Sequence, residues 1–105
     1  MAQSTVLSAT TSAANSADIV VAAGEVVSVA MFASDGQLSE GTYANIERKI
    51  GSNYQPVQDP SGKRGQLKYA PSDSTARTEW AIISPGTYRV SKPQTAEAVG
   101  IVVDS

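Results

Sequence analysis

The chain has 105 residues, with eight Lys and Arg, ten Asp and Glu, no histidine and no cysteine, and a formal net charge of −2. These counts exclude disulfides, thiolate nucleophiles and histidine proton shuttles, and with them the metal sites that use nitrogen or sulfur ligands. They also lack the basic excess typical of nucleic-acid-binding proteins. The length suits one domain whose core needs no covalent staple.

Residues 1–17 consist mainly of Ser, Thr and Ala, and their strongly apolar members are Val6 and Leu7. The segment is either a short edge strand with a linker or an extended arm that docks on the domain or on a neighbouring subunit. In the second case Thr5, Val6 and Leu7 are the predicted contacts. The segment lacks the basic start and continuous apolar run of a secretory signal, and no stretch of the chain is long enough to span a bilayer, so we expect no membrane partner.

A β-hairpin is predicted over residues 19–33. A β-branched run at 19–21 is followed by Ala23-Gly24, a turn signal, and then by an alternating segment at 25–33. In that segment Val27, Val29 and Met31 fall on one face, as in a half-buried strand.

Residues 42–50 alternate almost strictly between apolar and polar side chains. Ala44, Ile46 and Ile50 share one face with Arg48, which predicts a strand of an antiparallel sheet. A turn at 51–53 leads to a short strand at 54–57. Proline has no N–H for a ladder, so this strand is expected either to lie at a sheet edge or to end at Pro56.

Further short strands are predicted at 65–70, 77–83, 87–92 and 98–103, separated by turn residues. Pro85-Gly86 favours a type II turn. Val99, Ile101 and Val103 share one face of the last strand. No helical periodicity persists, so the pattern predicts an all-β fold. The expected architecture is a small antiparallel β-sandwich, immunoglobulin-like or jelly-roll-like, of seven to nine strands over residues 18–105. The arm or edge strand of residues 1–17 precedes it.

Carboxylate and calcium chemistry need no histidine, so the composition leaves both open. Glu47 and Glu79 could form a catalytic pair only if they faced one cleft, and both are expected on solvent faces. The turns at 35–36 and 59–62 lack the alternating acids of a calcium loop. A serine nucleophile would have no histidine base. We therefore expect no enzymatic activity, no metal and no cofactor.

Two tyrosines are predicted to face outward. Tyr43 and Tyr54 flank one predicted turn and could stack on a sugar, lie in a protein interface or form an exposed cross-strand pair.

Three parts of the chain carry a family resemblance: residues 21–32 (VAAGEVVSVAMF), 46–57 (IERKIGSNYQPV), and 83–93 (ISPGTYRVSKP) with 99–104 (VGIVVD). In this order they resemble small β-sandwich virion proteins of tailed bacteriophages. The resemblance covers residues 18–104, and such a family has no catalytic residues to carry over.

The resemblance implies a late structural protein of the virion, assembled in the host cytoplasm. The implied role is a capsid decoration or cement protein, or a head-fibre base, that binds the major capsid protein as a homo-oligomer, with a trimer favoured. The alternative is a carbohydrate- or host-surface-binding module that uses Tyr43 and Tyr54.

Overall fold

A computed structural model describes residues 3–58, 64–72 and 76–104. Every regular element within these ranges is a β-strand. The ten strands are β1 (Gln3–Thr10), β2 (Ala14–Asn15), β3 (Ile19–Val21), β4 (Val27–Ala33), β5 (Thr42–Ile50), β6 (Asn53–Pro56), β7 (Gln66–Tyr69), β8 (Glu79–Ile82), β9 (Gly86–Lys92) and β10 (Val99–Asp104).

The strands form two antiparallel sheets. Sheet A has the order β1-β10-β4-β8. Sheet B is centred on the β9–β5 pair, with β2 and β3 beside β9 and with β6 and β7 beside β5. The predicted all-β antiparallel sandwich is therefore confirmed. Within residues 18–105 the described part of the chain has eight strands, β3 to β10, in agreement with the predicted seven to nine, and β1 and β2 add two strands from residues 1–17.

The core lies between the sheets and follows the two-residue period of each strand. Sheet A contributes alternate residues of β4 and β10, and sheet B contributes alternate residues of β5 and β9. Fully enclosed side chains are Val29, Ile46, Leu67, Val90, Val99 and Ile101. Burying each such side chain contributes about 1.5–3 kcal/mol to the hydrophobic driving force.

The predicted hairpin over residues 19–33 is wrong. β3 pairs with β9 in sheet B, whereas β4 pairs with β10 and β8 in sheet A. The turn between them carries the chain from one sheet to the other. In this turn the Glu25 N–H donates to Ala22 O at 3.0 Å, and Gly24 has a φ of 80°. The apolar residues of β3 and β4 consequently face each other across the core instead of lying side by side.

Two local predictions on sheet B also need correction. Gly86 has a φ of 153° and begins β9, so it does not take the φ near +80° of a type II turn. Ile50, predicted on the buried face of β5, is 59% exposed, and its neighbours Arg48 and Lys49 are exposed as well. This end of the β5–β6 hairpin extends beyond the cover of sheet A.

Residues 3–10, for which the sequence leaves an arm or an edge strand open, form β1 at the edge of sheet A. β1 pairs with β10 from Gln3 opposite Asp104 to Thr10 opposite Val99, with two register shifts between. At Gly100 of β10 an added Cβ would lie 2.6 Å from Phe32 Cζ and 2.7 Å from the carbonyl oxygen of Leu7. Glycine thus allows β1 and the Phe32 ring to approach β10 closely.

A buried serine bridges the gap between β2 and β3 on β9. The Ser16 N–H donates to Val90 O at 2.8 Å, and the Val90 N–H donates to Ser16 Oγ at 2.9 Å. The side-chain oxygen replaces the carbonyl that a continuous strand would supply, so the ladder of β9 stays satisfied where its partner strand is interrupted.

Candidate functional site

The outer face of sheet B carries a network of charged and aromatic side chains. Arg89 Nε on β9 donates to Glu47 Oε1 on β5 at 2.7 Å, and the Arg89 guanidinium lies 3.9 Å from the centre of the Tyr54 ring. The Tyr54 hydroxyl in turn donates to Asp18 Oδ1. This hydrogen bond, with desolvation adding to it, raises the pKa of Tyr54 above its ordinary value, and Arg89 opposes the rise. The network holds β3, β5, β6 and β9 together at the surface.

The two candidate tyrosines do not come together. Both project from the outer face of sheet B, but Tyr54 pairs with Lys49 whereas Tyr43 pairs with Lys68 at the other end of β5. The two positions are six residue steps apart along β5, which corresponds to about 20 Å. Tyr43 is 37% exposed, and one face of the Tyr54 ring is covered by Arg89. The pair therefore provides two separate contact points and no common platform for one sugar ring.

The predicted contact residues of the N-terminal segment lie on β1. Thr5 is exposed, whereas Val6 and Leu7 are half-buried and pack against the core of the sandwich. The Val6 carbonyl also accepts a hydrogen bond from the Ala17 N–H at 2.8 Å. Val6 and Leu7 thus contact their own domain, and Thr5 is the member of the three that is free to meet another surface.

The candidate acids are not arranged for catalysis. Glu47 lies on the outer face of sheet B and Glu79 on the outer face of sheet A, so the two carboxylates point away from each other on opposite sides of a sandwich whose sheets pack about 10 Å apart. Asp35 Oδ1 accepts the Gln37 N–H at 2.9 Å, as in an ordinary Asx turn. The other candidate calcium turn, at 59–62, lies outside the described residues.

A lysine is buried at one end of sheet B. Lys92 is 2% exposed, and its Nζ donates to Ser12 O at 2.8 Å and to Pro93 O at 3.0 Å. Burial lowers the pKa of Lys92, and the nearby Glu97 carboxylate opposes this. Glu97 itself accepts the Ser39 N–H. These contacts tie three loops together, and the acceptors of both Lys92 ammonium hydrogen bonds are backbone carbonyls.

The outer face of sheet A is chemically different from that of sheet B. Small and apolar side chains occupy its centre: Ala30 and Phe32 of β4 and Val102 of β10 are all half-buried. At one end of the face, next to the ends of β4 and β8, Val26 is 55% exposed and Ile83 is 70% exposed. No lysine or arginine lies on β1, β4, β8 or β10. This face is suited to contact with another protein surface.

The open side of the sandwich contains an apolar cleft of about 260 Å³. It lies between β8 of sheet A and the segment that follows β6 of sheet B. Its walls include Ile46, Val57, Trp80, Ile82, Ile83 and Tyr88. The Tyr88 hydroxyl donates to Ser84 O at 2.8 Å, so its polar end is satisfied within the wall.

The sequence pattern does not single out Val26, Ile83 or Trp80 as site residues. It places Trp80 in the core, whereas Trp80 is half-buried at the cleft. A signal for the other two is present: Val26-Val27 and Ile82-Ile83 are apolar doublets, and in a strand two consecutive side chains point to opposite faces. One member of each doublet must therefore point outward.

The acidic side chains do not gather into a metal site. Within residues 3–58, 64–72 and 76–104, no cluster of three or more of them is close enough to hold a metal ion. No helix long and apolar enough to cross a membrane occurs in the same part of the chain. Comparisons with family models, curated proteins and solved structures find no match to this chain.

Proposed function

We propose that the chain is a non-enzymatic structural protein of an assembled particle, a component of a tailed-phage virion that binds the major capsid protein lattice as a decoration or cement protein. The observation that carries the proposal is the difference between the two outer faces. Sheet B turns a hydrogen-bonded, charged network to its surface, with the exposed Val20 beside Thr87. Sheet A turns out small and apolar residues around Ala30 and Val102, with the carboxylate of Glu79 at its β8 edge.

The size of the sheet A face is consistent with a contact of this kind. Four strands spaced by about 4.8 Å and a seven-residue β4 give a footprint of about 19 by 24 Å. A standard interface buries about 800 Å² per partner, and this footprint supplies roughly half of that area before any loop contributes. Repetition of one modest contact over a shell multiplies the affinity.

The chemistry of the surface supports a structural role over an enzymatic one. Glu47, the acid with the best-defined partner, is engaged by Arg89, and Glu79 lies on the opposite side of the sandwich. The sugar-binding alternative would need Tyr43 and Tyr54 to act about 20 Å apart.

The experiment is co-sedimentation of the purified chain with capsids built from the major capsid protein of the same source. Ala30→Lys places a charge at the centre of the sheet A face, and Thr87→Lys, on the outer face of sheet B, is the matched control. We expect the wild type and Thr87→Lys to sediment with the capsids and Ala30→Lys to bind at least about tenfold more weakly. Absence of binding by the wild type would refute the role, and full binding by Ala30→Lys would refute the assignment of the face.

A further inference from the structure

The outer edge of β8 has its backbone groups directed away from the sheet. Met31 N–H on β4 donates to Thr78 O at 3.1 Å, which fixes the phase of the β4–β8 ladder. Hydrogen-bonded and non-hydrogen-bonded pairs alternate in an antiparallel ladder. Trp80 and Ile82 therefore direct their N–H and C=O groups toward β4, whereas Ala81 directs its own toward the open edge.

A second bond supports this phase. Arg77, four residues before Ala81 and in the same phase, directs its carbonyl away from β4, where it accepts the Lys68 N–H of β7 at 2.7 Å. Within the described part of the chain, β8 itself pairs only with β4. Among residues 3–58, 64–72 and 76–104, no strand pairs with that edge from Glu79 onward.

The other sheet edges carry features that discourage pairing with another chain. β1 has register shifts between Thr5 and Leu7 and between Leu7 and Thr10, β6 ends in Pro56, and β7 contains Lys68. β2 and β3 have two and three residues. Bulges, proline, lysine and shortness are the devices by which edge strands avoid association. β8 is also short and begins with the charged Glu79, but its remaining residues, Trp80 to Ile82, include no charge or proline, and its ladder with β4 has no register shift.

We propose that β8 pairs with β8 of a second copy of this chain, antiparallel across a two-fold axis at Ala81, so that sheet A continues through a dimer, in place of the trimer that the family resemblance implies. We place a hydrogen-bonded pair on the axis, which requires a residue whose backbone groups point outward: Glu79, Ala81 or Ile83. An axis at Glu79 would oppose two carboxylates, and an axis at Ile83 would bring Pro85 into the ladder. At Ala81 the two alanines exchange both hydrogen bonds and Glu79 faces the second copy's Ile83.

The cleft gives this pairing an apolar component. In the pair centred on Ala81, Trp80 of one copy lies opposite Ile82 of the other on the inner side of the joined sheet. Both residues line the cleft, together with Val57 and Tyr88 of sheet B. A dry cavity of about 150 Å³ accommodates benzene, so a cleft of about 260 Å³ has room for one bulky apolar side chain. The two clefts merge at the axis, and the apolar surface of each cleft, which is exposed to solvent in the monomer, is covered in the dimer.

The dimer does not rest on the proposed capsid-binding role, because it uses the edge of sheet A and requires no other protein. Its test is sedimentation equilibrium of the purified full chain between about 1 and 500 µM. Ala81 is exposed, so Ala81→Lys and Ala81→Glu are compatible with the fold, and cooperative thermal unfolding of each variant verifies this. Each variant places two like charges opposite each other at the axis, and Ala81→Ser, which keeps the N–H and adds no charge, is the control.

We expect the wild type and Ala81→Ser to reach twice the chain mass. We expect the dissociation constant to rise at least about tenfold in Ala81→Lys and in Ala81→Glu, and an equimolar mixture of the two charged variants to recover the dimer. Ala81→Pro, which removes the donor on the open edge, is expected to be monomeric. A wild type that stays monomeric or forms trimers, or charged variants that dimerise as the wild type does, would overturn the proposal. Strand addition by a different protein would leave the wild type monomeric alone and also overturn it.

Discussion

Gly100 offers a measurable test of how closely β1 approaches β10. In Gly100→Ala the new Cβ would lie 2.6 Å from Phe32 Cζ and 2.7 Å from Leu7 O, whereas ordinary contacts begin near 3.4 Å. The Phe32 ring can turn aside at small cost. The Leu7 oxygen belongs to the backbone of β1, so the strand itself must move by more than half an ångström.

Two effects of opposite sign decide the size of the change. Replacing glycine by alanine stabilises a protein by about 0.4–1 kcal/mol when the native backbone accepts it, because the unfolded chain loses freedom. Overpacking of a closely filled site costs about 1–3 kcal/mol. Because one of the two close neighbours is backbone, we expect the clash to prevail and the free energy of unfolding to fall by about 1–2 kcal/mol. For a domain of this length that corresponds to a decrease in Tm of about 5–10 °C.

Trp80 is the single tryptophan of the chain, so its fluorescence reports urea unfolding without a label. Gly65→Ala is the matched control, because a Cβ at Gly65 meets its nearest neighbour, Val57, at 3.4 Å, an ordinary contact. We expect the control to be as stable as the wild type or up to about 1 kcal/mol more stable. Hydrogen exchange of the β1 amides should quicken in Gly100→Ala alone. A Gly100→Ala protein as stable as the wild type, with β1 amides equally protected, would show that β1 lies farther from β10 than these distances indicate.

Three further changes test other contacts. Ser16→Ala removes the acceptor of the buried Val90 N–H, and we expect it to cost about 1–3 kcal/mol in urea unfolding; a loss below about 0.5 kcal/mol would contradict the bridging role. Tyr54→Phe removes the hydroxyl that donates to Asp18. The folded pKa of Tyr54 is raised, so this stabilisation is complete below the ordinary pKa near 10 and is lost as pH rises through the folded pKa. The difference in urea midpoint between wild type and variant should therefore be constant from pH 8 to about pH 9 and should shrink above about pH 10, and a difference that stays constant at higher pH would contradict the assignment. Hydrogen bonds from its own backbone N–H and from Ser39 lower the pKa of Glu97. The free energy of unfolding of the wild type should therefore exceed that of Glu97→Gln by a constant amount above about pH 5, and this difference should vanish as pH falls through the folded pKa. A difference in unfolding free energy that persists in acid would refute the assignment.

The alternation of side chains predicts the strands and their inner faces well, because burial on one face of a strand repeats every two residues. It does not predict which strands pair. The Ala22–Glu25 turn has the chemistry of a hairpin, and the same chemistry serves a crossing between sheets, since in both cases the chain reverses and both flanking runs are apolar. Whether β3 and β4 pair with each other depends on strands far along the chain, because β9 pairs with β3 and β10 pairs with β4.

The candidate site depends on lengths that the sequence does not state. Tyr43 and Tyr54 are eleven positions apart in the chain, a spacing that suggests two residues flanking one turn, but β5 runs straight between Tyr43 and the turn at 51–52 and separates them. Parity along the strand assigns Ile50 to the core, and it is exposed because sheet A ends before β5 does. The apolar doublet Ile82-Ile83 is a sequence signal for the β8 edge, since strict alternation fails there.

The order of sheet A has a consequence for how the chain folds during synthesis. β10, the tenth of the described strands in chain order, separates β1 from β4, and nearly ninety residues lie between the end of β1 and the start of β10. At about 5–20 residues per second, β1 waits roughly 5–20 s on the ribosome without its only neighbour in the sheet. Its Ser- and Thr-rich composition keeps an exposed nascent strand hydrated during that interval, so the same residues that make the N-terminus resemble a flexible arm protect it until the C-terminal strand arrives.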